Sequence, residues 1–321
     1  MINFSSKNIF FYVIILITVF IADYSKASKE IKIIKKIDGE IITNIDISKE
    51  YKYLIALNND LKNIEKEEAF KIAEDSLVRE KVKANEIKKF FNMNDLSKDN
   101  LNKDLVKKIV KNFYQKLGIP DIQSFKLYLK EFDMSLSEVE EKIRIEILWN
   151  QLIGAKFTNQ IDINLNELKR KIQEEKLNVN NSIEYDLSEI VFQASDQTEL
   201  ELKVNEIISN IKTNGFSTTA NKFSASSTSQ FGGKIGKVKE SQLSKKIKEE
   251  LNTITDGQYT QPIKVANGFL ILLINSKKIV NYQLNEKDVL AEMIEFEKNK
   301  QYERFSQIYF NKIKLNALIN E

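Results

Sequence analysis

The sequence predicts an α+β fold in which helices dominate and strands gather at the N-terminus and in the second half. Three observations carry that expectation. Two apolar-rich runs within Ile31–Thr43, IKIIKKI and EIIT, flank Asp38-Gly39, the two-residue signal of a hairpin whose turn residues tolerate positive φ. Helical sequence then runs for more than a hundred residues. Further on, Phe223–Val238, FSASSTSQFGGKIGKV, places three of the chain's 9 glycines close together and returns to strand-like alternation. At 321 residues the chain has room for two domains.

At the start, Lys7 precedes the apolar run Ile9–Ala22, and Ser25-Lys26-Ala27 is a small-x-small cleavage pattern. Residues 1–27 therefore read as a signal peptide. The run falls short of the roughly 20 apolar residues that a spanning helix wants, so cleavage after Ala27 is expected, with no stable membrane anchor left. No Cys follows the site, which argues against a lipoprotein signal. The mature chain is expected to be exported.

A short hairpin cannot stand alone, so the strands at Ile31–Thr43 need a cover. Asn44-Ile45-Asp46 offers caps for a helix starting near Ile47. Glu67–Phe90 follows, with Phe70, Leu77, Val78 and Ile87 apolar among many charges. Leu101–Leu117 and Ile122–Phe132 are separated by Gly118-Ile119-Pro120, with Asp121 as the next cap. In Ser135–Phe157, residues Val139, Ile143, Ile147, Leu148 and Leu152 form a wide stripe beside Trp149, and they read as core. Asn164–Leu177 is another charged helix, and Asn178–Asn181 a linker.

In the second half, LSEIVF (Leu187–Phe192) reads as a strand, followed by a helix and the short helical GFSTTANKFS. The Ser-rich loop, Gly232-Gly233 and KIGKV come next, then a helix within QLSKKIKEELNTITDGQYTQPI and a strand pair ending in ANGFLILLINSKK. Gln283–Glu321 is again helical, with an intermittent apolar face of Val289, Met293, Phe296, Tyr302, Phe305, Tyr309 and Ile313.

Composition removes several kinds of chemistry. The chain has no His and no Cys, which excludes thiol nucleophiles, disulfides, His-based triads and thiolate or imidazole metal sites. No EF-hand-like spacing is present, so neither a metal nor a cofactor is expected. Net charge is +3 with both signs interspersed, and no basic stripe with interleaved aromatics marks a nucleic-acid surface. The glycine loop matches neither nucleotide-binding pattern.

The order strand, helix, short helix, Ser-rich loop, Gly-Gly, strand, helix, strand pair resembles the parvulin (PpiC) family of peptidyl-prolyl isomerases over roughly Ser182–Ile279. The hairpin leading into ITNIDI, the helical run and SEVEEKIRIEILWNQLI resemble the N-terminal domain of the SurA family of periplasmic chaperones. The second resemblance implies that the C-terminal helix returns to pack on the N-terminal lobe, making the parvulin-like unit an insertion. The expected division is a signal peptide at 1–27, a helical lobe at 28–180, a parvulin-like domain at 181–280 and a returning helix at 281–321.

Residue by residue, the family's pocket for the proline ring falls on Ile235, Leu243 and Ile247, all apolar here. Leu243 and Ile247, four apart, are expected to share a helix face. The family's two histidines fall on Glu189 and Leu270, and its Cys or Asp position on Ala225 or Ser226. The resemblance thus makes Glu189 and Ser226 the substituted catalytic positions, with Ser226 either a donor for a substrate carbonyl or only a loop serine. Ile235, Leu243, Ile247 and Leu270 are the expected substrate-binding ones, the first three of them either lining the pocket or simply forming core. Twisting an amide against a barrier of about 18–20 kcal/mol requires no nucleophile, but losing both imidazoles leaves isomerase activity expected to be weak or lost. The resemblance implies a periplasmic chaperone that binds unfolded outer-membrane or other periplasmic polypeptides without nucleotide. Two alternatives stay open: an active isomerase with a histidine-free site, and an envelope scaffold with a folded partner. Extended clients could add to a sheet edge at Ile31–Thr43.

Overall fold

The computed structural model describes residues 30–91, 100–177, 182–266, 268–280 and 286–320. The expected signal peptide at 1–27 and the linker at Asn178–Asn181 lie outside the described residues. In chain order the elements are β1 (Ile33–Ile37), β2 (Glu40–Thr43), α1 (Asn44–Leu57), α2 (Lys66–Lys88), α3 (Asn100–Lys116), α4 (Ile122–Lys130), α5 (Leu136–Phe157) and α6 (Leu165–Leu177). There follow β3 (Ser182–Phe192), α7 (Gln197–Phe223), β4 (Lys234–Lys239), α8 (Lys245–Asn252), β5 (Ile263–Val265), β6 (Gly268–Val280), α9 (Glu286–Asn316) and β7 (Ile319–Asn320).

The hairpin turns at Asp38 and Gly39, with φ of 50° and 89°. Positive φ at both central residues matches the twist of the flanking strands. Helix α1 begins at Asn44, three residues before the expected start. Its N-cap is Thr43, whose hydroxyl accepts from Asp46 N while the Asp46 carboxylate accepts from Thr43 N at 2.8 Å. That reciprocal pair satisfies two otherwise unpaired backbone donors. Ser135 and Glu138 do the same at the start of α5, and Asp121 caps α4 as expected.

The C-terminus departs from its helical expectation. Ile319 and Asn320 form β7, which pairs antiparallel with β1 to give the sheet order β2-β1-β7. The edge of β1 is therefore occupied at Lys36 and Ile37, which leaves its first residues and β2 as the edges open to any added strand.

Ile37 and Ile42 point into the main helical core with residues of α1 to α5. α9, about 46 Å long at 1.5 Å per residue, ties this lobe to the rest. Its Met293 packs on Leu168 and Ile172 of α6, its Phe296 on the second sheet, and its Tyr302, Phe305 and Tyr309 on α5. Trp149 is 1% exposed, stacks on Tyr309 and donates from Nε1 to Ser306 Oγ at 2.7 Å. The C-terminal helix thus returns to the N-terminal lobe, and β3 to β6 form a unit between its halves.

That unit is a four-stranded antiparallel sheet of order β4-β3-β6-β5. Alternation along β3 and β6 gives it two apolar faces. Ile190, Phe192 and Ile271 lie under α7, while Tyr185, Leu187, Val191, Leu270, Leu272 and Ile274 face the other side with α8. α7 is broken at Gly215 (φ 80°, ψ 163°), which accounts for the expected helix followed by a short helix.

Candidate functional site

The two glycines set the position of the Ser-rich loop. Gly232 and Gly233 have φ of 64° and 77°. A Cβ on Gly233 would sit 2.2 Å from the Glu189 carbonyl oxygen, and one on Gly232 would sit 2.0 Å from Ser217 Oγ. Only glycine permits this approach. The contact is sealed by Glu189 N donating to the Gly233 carbonyl at 2.8 Å. Ser226–Thr228 is thereby held over β3 at Glu189.

Glu189 shares strand parity with Leu187 and Val191, so its carboxyl rises from the α8 side of the sheet. Ser226 Oγ donates to Glu189 Oε1 at 2.6 Å, and Thr228 Oγ1 donates to the same oxygen at 3.0 Å. Burial pushes the Glu189 pKa above the ordinary carboxylate range; the hydroxyls of Ser226 and Thr228 oppose the shift, and the nearby Glu303 carboxylate adds to it. A serine hydroxyl has one proton to donate, and that of Ser226 is directed at Glu189.

The four expected pocket residues come together in one apolar cluster with Leu251 and Leu272. Leu243 and Leu270 are buried within it, and Ile235 and Ile247 are half-buried at its boundary. The expected reason for one of these contacts fails. Leu243 is extended and precedes α8, which starts at Lys245 with Ser244 as its cap, so Leu243 and Ile247 do not share a helix face. Leu270 pairs across the sheet with Val191 and Ile263. The arrangement is an apolar patch beside a carboxyl–hydroxyl cluster. It sets apolar contacts next to hydrogen-bonding groups, and it holds no imidazole.

Thr228 was not singled out in the sequence, although the Ser/Thr run carried the signal for it. A second set of residues has no local signal at all, because it fastens the loop to the helical lobe. Asn58 Nδ2 donates to Asn221 Oδ1 at 2.6 Å, Lys222 pairs with Glu68 at 2.6 Å, and Glu303 accepts from Ser227 N at 3.1 Å. Arg79 Nη1 donates to the Ser224 carbonyl at 3.2 Å, and Phe231 meets Phe113 edge to face at 4.7 Å between centroids.

A profile of the family described as Rotamase, PPIC-type PPIASE domain, matches residues 185–276. Chaperone SurA of Pseudomonas putida is 22% identical over 205 residues, covering 60% of this chain and 48% of the relative. The chain thus spans about half the length of the curated relatives it matches. Among solved structures, a PpiC-type peptidyl-prolyl cis-trans isomerase domain is 25% identical over 32% of this chain and 96% of its own, with a TM-score of 0.29. A structure reported among SurA-like chaperones of Campylobacter jejuni is 15% identical over 90% of this chain and 98% of its own, with a TM-score of 0.32. Residues 185–276 match the PPIC-type domain, and about 60% of the chain is similar to the SurA chaperones.

Proposed function

We propose that this chain is an exported, periplasmic chaperone or foldase that holds unfolded envelope polypeptides, outer-membrane proteins among them, without nucleotide. In this reading residues 28–180 and 281–321 form the holding lobe, and residues 181–280 form a PPIC-type domain that binds proline-containing segments while isomerising them weakly or not at all. The observation that carries the reading is the make-up of the domain's site. Ile235, Leu243, Ile247 and Leu270 keep an apolar patch together, while Glu189 and Ser226 are hydrogen-bonded to each other at the polar end. Apolar contact suffices to bind a proline ring; catalysis needs groups that stabilise the twisted amide more than the planar one.

The same cluster favours a second reading, an active isomerase that works without histidine. A carboxyl whose pKa is raised by burial and which is steered by two hydroxyls could donate a hydrogen bond to the amide nitrogen as it pyramidalises. Aggregation of several unrelated unfolded proteins, followed by light scattering with substoichiometric to excess chain, tests the first reading. Suppression across unrelated clients is the expected result. Protection of a single client, or of none, contradicts it.

A further inference from the structure

Arg79 lies on α2 where the helical lobe meets the Ser-rich loop. Its Nη1 donates to the Ser224 carbonyl at 3.2 Å and to Ser229 Oγ at 3.3 Å, and among the described residues no carboxylate lies within ion-pair distance of it. A guanidinium has five N–H donors. Among the described residues the buried side-chain atoms without a partner are Arg144 Nε and Thr218 Oγ1, and Arg79 lines an adjoining open space.

That space is a cavity of about 320 Å³ bounded by α1, α2, α5, α9 and the Ser-rich loop. Ligand clefts begin at roughly this size, about 300 Å³. The carboxylates on its wall are engaged elsewhere. Glu50 and Glu80 hold Lys142, Glu146 is bonded to Lys83 at 2.8 Å, and Glu303 accepts from Ser227. Asp75 is exposed. Burial lowers the Arg79 pKa, an effect that Asp75, Glu146 and Glu50 oppose only from a distance. Ser227 and Ser306 add hydroxyls to the wall.

We propose that Arg79 and this cavity form a binding site for a carboxylate of a captured polypeptide, either its C-terminal group or an Asp or Glu side chain. The planar fork of arginine matches a carboxylate with two parallel hydrogen bonds, which a lysine cannot reproduce. The inference rests on the polypeptide-binding reading above and adds a second anchoring point, across the loop from the apolar patch.

The test measures binding of a fluorescein-labelled, unstructured decapeptide of Phe, Ser, Gly and Ala to the full chain by anisotropy. Three forms are compared: free C-terminal carboxylate, C-terminal amide, and amide with one internal Glu. The wild type is expected to bind the free carboxylate about tenfold more tightly than the plain amide, as charge-assisted bonds imply. Recovery with the internal Glu identifies side-chain carboxylates as ligands; no recovery identifies the C-terminal group. Arg79→Gln should abolish the discrimination and Arg79→Lys should reduce it. Asn58→Ala, which loosens the same seam without touching Arg79, should preserve it. Equal binding of all three forms by the wild type overturns the site and leaves polypeptide binding standing. Discrimination that persists in folded Arg79→Gln also overturns it. Failure to bind any form overturns both this site and the chaperone reading.

Discussion

Lys142 in the helical lobe and Glu189 in the PPIC-type domain are both withdrawn from water, and their surroundings differ. Burial alone would lower the Lys142 pKa, but the carboxylates of Glu50 and Glu80 outweigh it and hold the ammonium charged. Its Nζ is 2.5 Å from Glu50 and is also bonded to Glu80, while Ser76 donates to the other Glu50 oxygen at 2.7 Å. Glu189 has two hydroxyl donors on one oxygen and a second carboxylate, Glu303, in its field. The first centre is compensated and fastens α1, α2 and α5 together. The second has hydroxyl donors but, among the described residues, no cation in ion-pair distance, and burial without a counter-charge is what sites, more than scaffolds, tolerate.

Breaking the compensated centre should have the largest effect. Lys142→Met leaves two carboxylates facing each other in the lobe and is expected to cost about 3–5 kcal/mol in urea unfolding. A loss below about 1 kcal/mol would show that water already reaches the centre and that the contrast with Glu189 is overstated. Next comes Gly233→Ala, which combines a left-handed backbone with a 2.2 Å approach to the Glu189 carbonyl. It should cost about 2 kcal/mol or more and shift the loop off β3, read as a lower Tm together with weaker proline-peptide binding. Ser306→Ala leaves the Trp149 indole N–H without its partner and should cost about 1–3 kcal/mol, with a shift in tryptophan emission as the local check.

Glu189→Gln sharpens the comparison with the smallest effect and the opposite sign. Because burial raises its folded pKa, the native state binds more protons than the unfolded one between the ordinary carboxylate value and the folded value. Stability is therefore lost as pH rises through that window, and the wild type carries the loss at neutral pH. Removing the charge should raise Tm at about pH 7 and leave it unchanged at about pH 3 and below, where the carboxyl is protonated in both states. A lower Tm at neutral pH would place a compensating cation near Glu189.

Much of this architecture is legible in local sequence because its causes are local. Asp38-Gly39 specifies its turn through the φ that both residues tolerate, and Gly232-Gly233 announces a close backbone approach before the partner strand is known. The start of α1 lies earlier than Asn44-Ile45-Asp46 suggests as caps, because Thr43 and Asp46 act as a reciprocal pair. β7 is not legible locally, since two residues at the end of a helical run carry no periodicity; their strand character comes from β1, nearly three hundred positions away. The four apolar residues that the family pattern assigns to a pocket do meet in one cluster, but Leu243 reaches it from an extended segment and not from a shared helix face. Arg79 could not be found, since its partners Ser224 and Ser229 lie 145 and 150 positions further along.

The central claim is that the PPIC-type site binds without turning over, and one experiment reads both quantities together. An isotope-labelled Ala-Pro peptide is titrated with the chain, and NMR follows binding shifts and cis–trans exchange cross-peaks in the same spectra. The comparison includes Leu243→Ala and Ile247→Ala variants shown to remain folded. Unaided X-Pro isomerisation takes tens of seconds or longer, so enzyme-driven exchange is readily resolved. The account predicts shifts that saturate and weaken in both variants, with exchange rates close to those of the free peptide. Strong acceleration by the wild type that both variants abolish would contradict it and make the histidine-free site an isomerase.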